Sequence, residues 1–192
     1  MKVYLLRHGE TLGNIEGRFS GVTDTPLSEL GRDQSLRVKD KILGLDFDHV
    51  ISSPLSRAID TARLAGQPPT AIEEGLREMD FGKFEGLTYQ EIQDQYPQDF
   101  DQWTLEGRDF VFPEGESLPG FYRRIIGVYK DVLNRFKGER ILVVAHSGVI
   151  RCILCHEISE NEEHYWKYRV DNASVSVISY ESDYVILDRL NG

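Results

Sequence analysis

The sequence predicts an α/β fold: three layers, α/β/α, with a mostly parallel central sheet, one antiparallel edge strand and a small helical lid insertion. Three observations carry this. The apolar, β-prone run Val3-Tyr4-Leu5-Leu6 stops abruptly at Arg7-His8-Gly9. The run Ile141 to Ala145 stops in the same way at His146-Ser147-Gly148 and passes into helical-looking residues from Val149. The run His49 to Ser52 leads through Ser53 and Pro54 into a helix that carries Arg57 in its opening turn. Strands that alternate with helices make parallel sheets, and ligands of such sheets bind beyond the carboxyl ends of the strands. Two strands that each deliver a histidine to that edge therefore describe one site.

The remaining elements follow in order. Gly17-Arg18-Phe19-Ser20-Gly21 reads as a loop near the site, and Ser28 as the cap of a helix to about Leu43 with Leu30, Gln34, Val38 and Ile42 on one face. Ser53 reads as an N-cap with Pro54 at the first helical position, and that helix stops at Gly66. A helix start beside an arginine fork suits a phosphate. Leu76 to Gly82 has no period and reads as a loop, in which spacing alone makes Glu78 a surface carboxylate. Thr88 to Glu91 spells a capping box for a short helix ending near Pro97. Residues 97–119 are irregular and aromatic: either a helical lid whose rings line a pocket or a satellite hydrophobic cluster. Ser117 then precedes a long helix with Phe121, Ile125, Val128, Val132 and Phe136 as its core stripe, ending at Gly138. Ser174 to Tyr180 and Tyr184 to Leu190 read as a hairpin completing the sheet edge.

Arg7-His8-Gly9-Glu10-Thr11 with Asn14, Ser53 to Ala58, Arg77-Glu78 before Phe81 to Gly86, and His146-Ser147-Gly148 together resemble the histidine phosphatase (phosphoglycerate mutase-like) superfamily. The resemblance runs from Lys2 to the end of the chain. It implies one domain over residues 1–192 and a metal-independent phosphomonoesterase in which His8 is phosphorylated. Arg7, Arg57 and His146 would hold the phosphoryl oxygens and Glu78 would serve as general acid, which reverses the surface reading of that residue. Asn14, Ser20, Gly21 and Ser147 complete the implied substrate-binding set. The segments Gly17 to Gly21, Trp166 to Asp171 and Leu190-Asn191 are most similar to the alpha-ribazole phosphatases, which remove a 5′-phosphate in cobalamin assembly. Broad-specificity phosphatases and phosphoglycerate mutases share the catalytic motifs. The mutases carry longer chains. A non-catalytic phospholigand-binding module is the reading of another class, disfavoured because His8, Glu78 and His146 are all present.

Composition bounds the partners. A net charge of −10 argues against nucleic acid and acidic membrane surfaces, and makes a local cluster of Arg7, Arg57 and two histidines more telling. The 40% hydrophobic content of 192 residues is enough for a sizeable core. No stretch reaches membrane-spanning length and the N-terminus lacks a signal-peptide layout, so the expectation is a cytoplasmic protein. Cys152-Ile-Leu-Cys155-His156 spells a haem-attachment pattern, but both cysteines fall on the buried face of a helix, the commoner explanation. No cofactor and no metal are expected; the partner is a small-molecule phosphate ester. The sequence permits a homodimer without specifying one.

Overall fold

The computed structural model describes residues 1–136 and 140–192. Among them β1 (Lys2–Arg7), β2 (His49–Ser52), β3 (Ala71–Ile72), β4 (Arg140–Ala145), β5 (Val175–Tyr180) and β6 (Val185–Arg189) form one sheet in the order β3-β2-β4-β1-β5-β6. The pairs β3-β2, β2-β4 and β4-β1 are parallel, whereas β5 lies antiparallel to β1 and β6 antiparallel to β5. The expected hairpin thus supplies the antiparallel edge as a pair, with β6 outermost.

Alternation along β1 splits the core. Tyr4 and Leu6 face α2 (Glu29–Lys41) and α3 (Ser56–Leu64), packing with Val38, Ile42, Ala58 and Ala62. Val3 and Leu5 face α6 (Leu118–Arg135) and α7 (Ser147–Glu157), packing with Phe121, Ile125, Val149 and Ile153. Both neighbours of β1 are buried runs as well, so the central strands read as continuous apolar stretches.

The short α1 (Leu12–Glu16) starts from a capping box in which Thr11 Oγ1 accepts from Asn14 N and Asn14 Oδ1 accepts from Thr11 N. A second box, Thr88 with Glu91, starts α4 (Tyr89–Gln95) as anticipated. Pro97 then opens α5 (Pro97–Glu106). Beyond it Phe100, Phe110 and Phe112 are buried with Phe84, rings 5.2 Å apart for Phe110–Phe112 and 5.5 Å for Phe84–Phe112. These rings belong to the same cluster as Val3 and Leu5, so the aromatic stretch is an extension of the main core.

Three expectations need correction or limits. The helix after Ser28 does start from that cap, with Gly31 N donating to Ser28 Oγ, but its inner face is Gly31, Ser35, Val38 and Ile42, and Leu30 is 49% exposed. Hydropathy misplaced the face because Gly31 lets the helix backbone touch the Glu10 backbone. Ser53 is not an N-cap: α3 begins two residues beyond Pro54, its cap position is Leu55, and no side chain caps it. Gly138, the expected end of α6, lies outside the described residues.

A Cβ at Gly31 would stand 1.9 Å from the Glu10 carbonyl oxygen. Alanine in a helix ordinarily gains about 0.5–1 kcal/mol over glycine, but a clash with backbone cannot relax by rotamer change and overpacking costs about 1–3 kcal/mol. Gly31→Ala should therefore lower stability and shift the loop behind His8, read as a fall in urea midpoint together with reduced ligand binding.

Candidate active site

The in-register pairing of Arg7 with Ala145 brings the next residues, His8 and His146, level with each other at the carboxyl edge of the sheet, ring centroids 5.1 Å apart. His8 N donates to Ala145 O at 3.0 Å, and Ala173 N to His8 O at 3.1 Å, so the backbone of His8 is held between the end of β4 and the turn that leads into β5. The His8 side chain is 5% exposed and that of His146 fully buried.

The hydrogen bonds fix the tautomers. His8 Nδ1 lies 2.7 Å from Gly9 O, an acceptor only, so Nδ1 carries the proton and Nε2 keeps its lone pair. Arg57 Nε donates to His146 Nδ1 at 3.3 Å; an arginine N–H can only donate, so the His146 proton sits on Nε2 and is given to Ser53 Oγ at 2.7 Å. Burial, and then the positive charges of Arg57 and Arg7, hold His8 well below the usual histidine range. Burial and Arg57 do the same to His146.

Arg57, 1% exposed, is spread over carbonyl oxygens: Nη1 donates to Thr23 O at 2.9 Å, and Nη2 to Ser20 O at 3.2 Å and Gly21 O at 2.7 Å. Arg7 Nη1 donates to Val170 O at 2.6 Å, while its Nε is buried without a partner. Burial lowers both arginines from their ordinary value, and Glu78 is the anion that offsets this most for each. Glu78 itself leans on the start of α7, Oε2 accepting from Gly148 N at 2.9 Å and Oε1 from Met79 N at 3.0 Å. A side chain at Gly148 would stand 2.3 Å from Glu78 Oε1, so the glycine makes room for the carboxylate. Sequence spacing alone had put Glu78 on the surface; it is half-buried in the site.

The other expected residues gather more loosely. Ser147 opens α7 and lines the cleft with Glu78, Gly148 and Arg151. Asn14 is exposed, and its Oδ1 serves the α1 cap and accepts from Asn172 Nδ2, which also reaches His8 O at 3.3 Å. Ser20 also lines the cleft, but Gly21 has both backbone groups committed, its N–H to Glu85 and its C=O to Arg57. Sequence reasoning missed Ser53, taken for a cap, and Glu85, visible only as part of the Phe81 to Gly86 motif. It also missed Arg151, whose guanidinium stacks on Tyr165 and Trp166 at 5.4 and 5.2 Å. From the cleft the walls of Phe19, Phe81 and Trp166 continue into an apolar cavity of ≈ 250 Å³ closed by Trp103, Phe110 and Phe112.

Cys152 and Cys155 are free and buried, with burial pushing Cys152 well up and Cys155 up to about 11, consistent with the packing reading. Among the described residues no group of three or more His, Cys, Asp or Glu side chains is placed to hold a metal ion, and no helix is long and apolar enough to cross a membrane.

A parallel-sheet edge that presents a neutral imidazole with a free Nε2, one buried and one half-buried guanidinium group and a carboxylate offers the chemistry that holds an anion and transfers a group. The chain belongs to the histidine phosphatase superfamily (branch 1), whose model matches residues 3–192. It is 32% identical to phosphoserine phosphatase 1 of Hydrogenobacter thermophilus, covering 100% of this chain and 92% of that one. It is 31% identical to the adenosylcobalamin/alpha-ribazole phosphatase of Escherichia coli over 100% of this chain and 96% of that one. The crystal structure of the alpha-ribazole phosphatase from Shigella flexneri superposes with a TM-score of 0.94 at 30% identity, covering 100% and 96% of the two chains. Family and relatives together support phosphatase activity.

Because the folded pKa values of both histidines are depressed, the unfolded chain binds protons that the native site refuses as pH falls below about 6.5. The stability that the neutral histidines contribute is present above that pH and is lost on acidification, at up to about 1.4 kcal/mol per pH unit for each group. Urea unfolding between pH 7.5 and 5 should show this slope, and His8→Asn or His146→Asn should each make it shallower.

Proposed function

We propose that the protein is a metal-independent phosphomonoesterase that hydrolyses alpha-ribazole 5′-phosphate through a phosphohistidine on His8. His8 Nε2 attacks phosphorus in line, the ester P–O bond breaks, and its electron pair leaves on the ribose oxygen, which takes a proton that Glu78 has accepted from the bound monoester. Glu78, now a carboxylate, removes a proton from water; the water oxygen attacks phosphorus, the P–Nε2 bond breaks, and phosphate departs. Arg7, Arg57 and the N-terminus of α7 stabilise the charge on the transferring oxygens, and His146, accepting from Arg57 on Nδ1 and donating to Ser53 from Nε2, holds Arg57 in place behind them. Phosphate binding displaces part of the carbonyl contacts of Arg57 and supplies a partner for Arg7. The chain works as one domain, with residues 97–119 roofing the leaving group.

The observation that carries the substrate class is the shared wall of Phe19, Met79, Phe81, Tyr165 and Trp166, along which the cleft lined by Glu78 and Arg151 opens into the aromatic cavity. A leaving group whose far end is a flat, apolar ring fits that lining, and the base of alpha-ribazole is a methylated benzimidazole. A second reading rests on Arg151, which faces the same cleft and suits a leaving group bearing a carboxylate, as in phosphoserine.

A panel of alpha-ribazole 5′-phosphate, phosphoserine, 3-phosphoglycerate and an aryl phosphate, run in EDTA, separates these. The highest kcat/KM is expected for alpha-ribazole 5′-phosphate; preference for phosphoserine would move the assignment to the second reading. Trp166 is 73% exposed, so its truncation costs little stability. Trp166→Ala should raise KM for alpha-ribazole 5′-phosphate about tenfold while leaving a small alkyl phosphate nearly unchanged. Glu78→Gln should slow alkyl esters by about 10²-fold or more and aryl esters much less, because a phenolate leaves without a proton. A brief alkaline quench with an aryl ester should trap phosphate on His8 in that variant; equal losses on both esters would remove Glu78 from the acid role.

A further inference from the structure

Glu85 takes no part in the chemistry above, yet its carboxylate is one of the most heavily coordinated groups in the molecule. Gly21 N donates to both of its oxygens at 3.1 Å, Val22 N to Oε1 at 3.0 Å, Thr23 N to Oε2 at 3.1 Å, and Phe81 N to Oε1 at 3.1 Å. Successive N–H groups converging on one point form a concave anion receptor. Here the protein's own carboxylate fills it. The carbonyl groups of the same loop point the other way: Ser20 O, Gly21 O and Thr23 O all accept from Arg57.

The loop is thus clamped from two sides, its N–H groups on an anion and its C=O groups on a cation. Glu85 is also among the negative charges felt by Arg57. Arg57 in turn donates to His146, which is held on its other nitrogen by Ser53. A carboxylate can satisfy four N–H groups at once because all its lone pairs accept; no neutral side chain of that shape can.

We propose that Glu85 is a positioning residue that sets the Ser20 to Thr23 loop and, through it, the orientation of Arg57 towards the phosphoryl group. The proposal rests on the phosphatase reading for its kinetic consequences, but not for its binding consequence. In Glu85→Gln one oxygen becomes an NH₂ group, which faces the N–H of Thr23 or of the residues on the other side and cannot accept from it. The loop then loosens where Thr23 O meets Arg57 Nη1.

The test uses the full chain and inorganic phosphate as probe. Calorimetric titration should show phosphate binding weakened about tenfold in Glu85→Gln, and both kcat and kcat/KM for a small phosphate ester should fall by at least about the same factor. Glu85→Asp keeps the charge but is one methylene shorter, and should fall between the parent and Glu85→Gln in both measurements. Val132→Ala, in the buried face of α6 away from the site, serves as a control that lowers stability without touching the clamp. It should keep the parental phosphate affinity.

Phosphate affinity and kcat of Glu85→Gln within twofold of the parent would overturn the proposal. So would losses in Val132→Ala equal to those in Glu85→Gln, since the effect would then follow stability alone. A parent that binds phosphate yet hydrolyses no ester in the panel would sink the phosphatase reading instead, and the binding titrations would still decide the role of Glu85.

Discussion

The buried guanidinium of Arg57 is the constraint around which the site is arranged. A charge removed from water must be solvated by the protein, and here the solvent is made of three loop carbonyls and an imidazole nitrogen rather than a direct carboxylate partner. Carbonyl dipoles satisfy the N–H groups without cancelling the charge. The pocket therefore stays positive, and that field, added to burial, keeps both histidines unprotonated. Had Arg57 been paired with a carboxylate, the same fold would hold a weaker anion site and more basic imidazoles.

Much of this was legible in the sequence, for reasons that differ by residue. His8 and His146 could be placed because a buried strand that ends in a polar residue and a glycine has only one place to end, and parallel register then makes the two level. The Thr88 box and the Ser28 and Ser117 caps were legible because capping is local chemistry. Ser53 misled for the same reason: Ser-Pro before a helical run matches the cap pattern, but the hydroxyl is taken by His146, far away in sequence. Leu30 misled because hydropathy sees side chains, whereas the contact that orients α2 is backbone on backbone at Gly31. Glu78 needed the motif resemblance, since nothing in its neighbours signals a helix start arriving from residue 148. Glu85 was hidden because a surface carboxylate and one that binds four backbone N–H groups look alike in one dimension.

The aromatic stretch from Phe100 to Phe112 shows why two readings of a segment need not exclude each other. Its inner rings continue the main core, which anchors them. Their outer faces, with Trp103 half-buried among them, close a cavity beside the charged cleft. One set of side chains thus serves cohesion on one side and shape selection on the other, so changes that enlarge the cavity also remove packing.

The position of β1 in the sheet bears on how the chain reaches this structure. The first strand pairs with β4, from Lys2 with Arg140 to Arg7 with Ala145, and with β5 near the other end of the chain. Such non-local pairing is slow to form, and in a chain made from its N-terminus Val3-Tyr4-Leu5-Leu6 emerges long before either neighbour exists. A short apolar β-prone run left waiting is an aggregation hazard, and charges at its flanks are the usual protection. Lys2 and Arg7 occupy those flanks. Arg7 would thus act twice in the life of the molecule, first as a gatekeeper that keeps an unpaired strand soluble and later as part of the anion cradle.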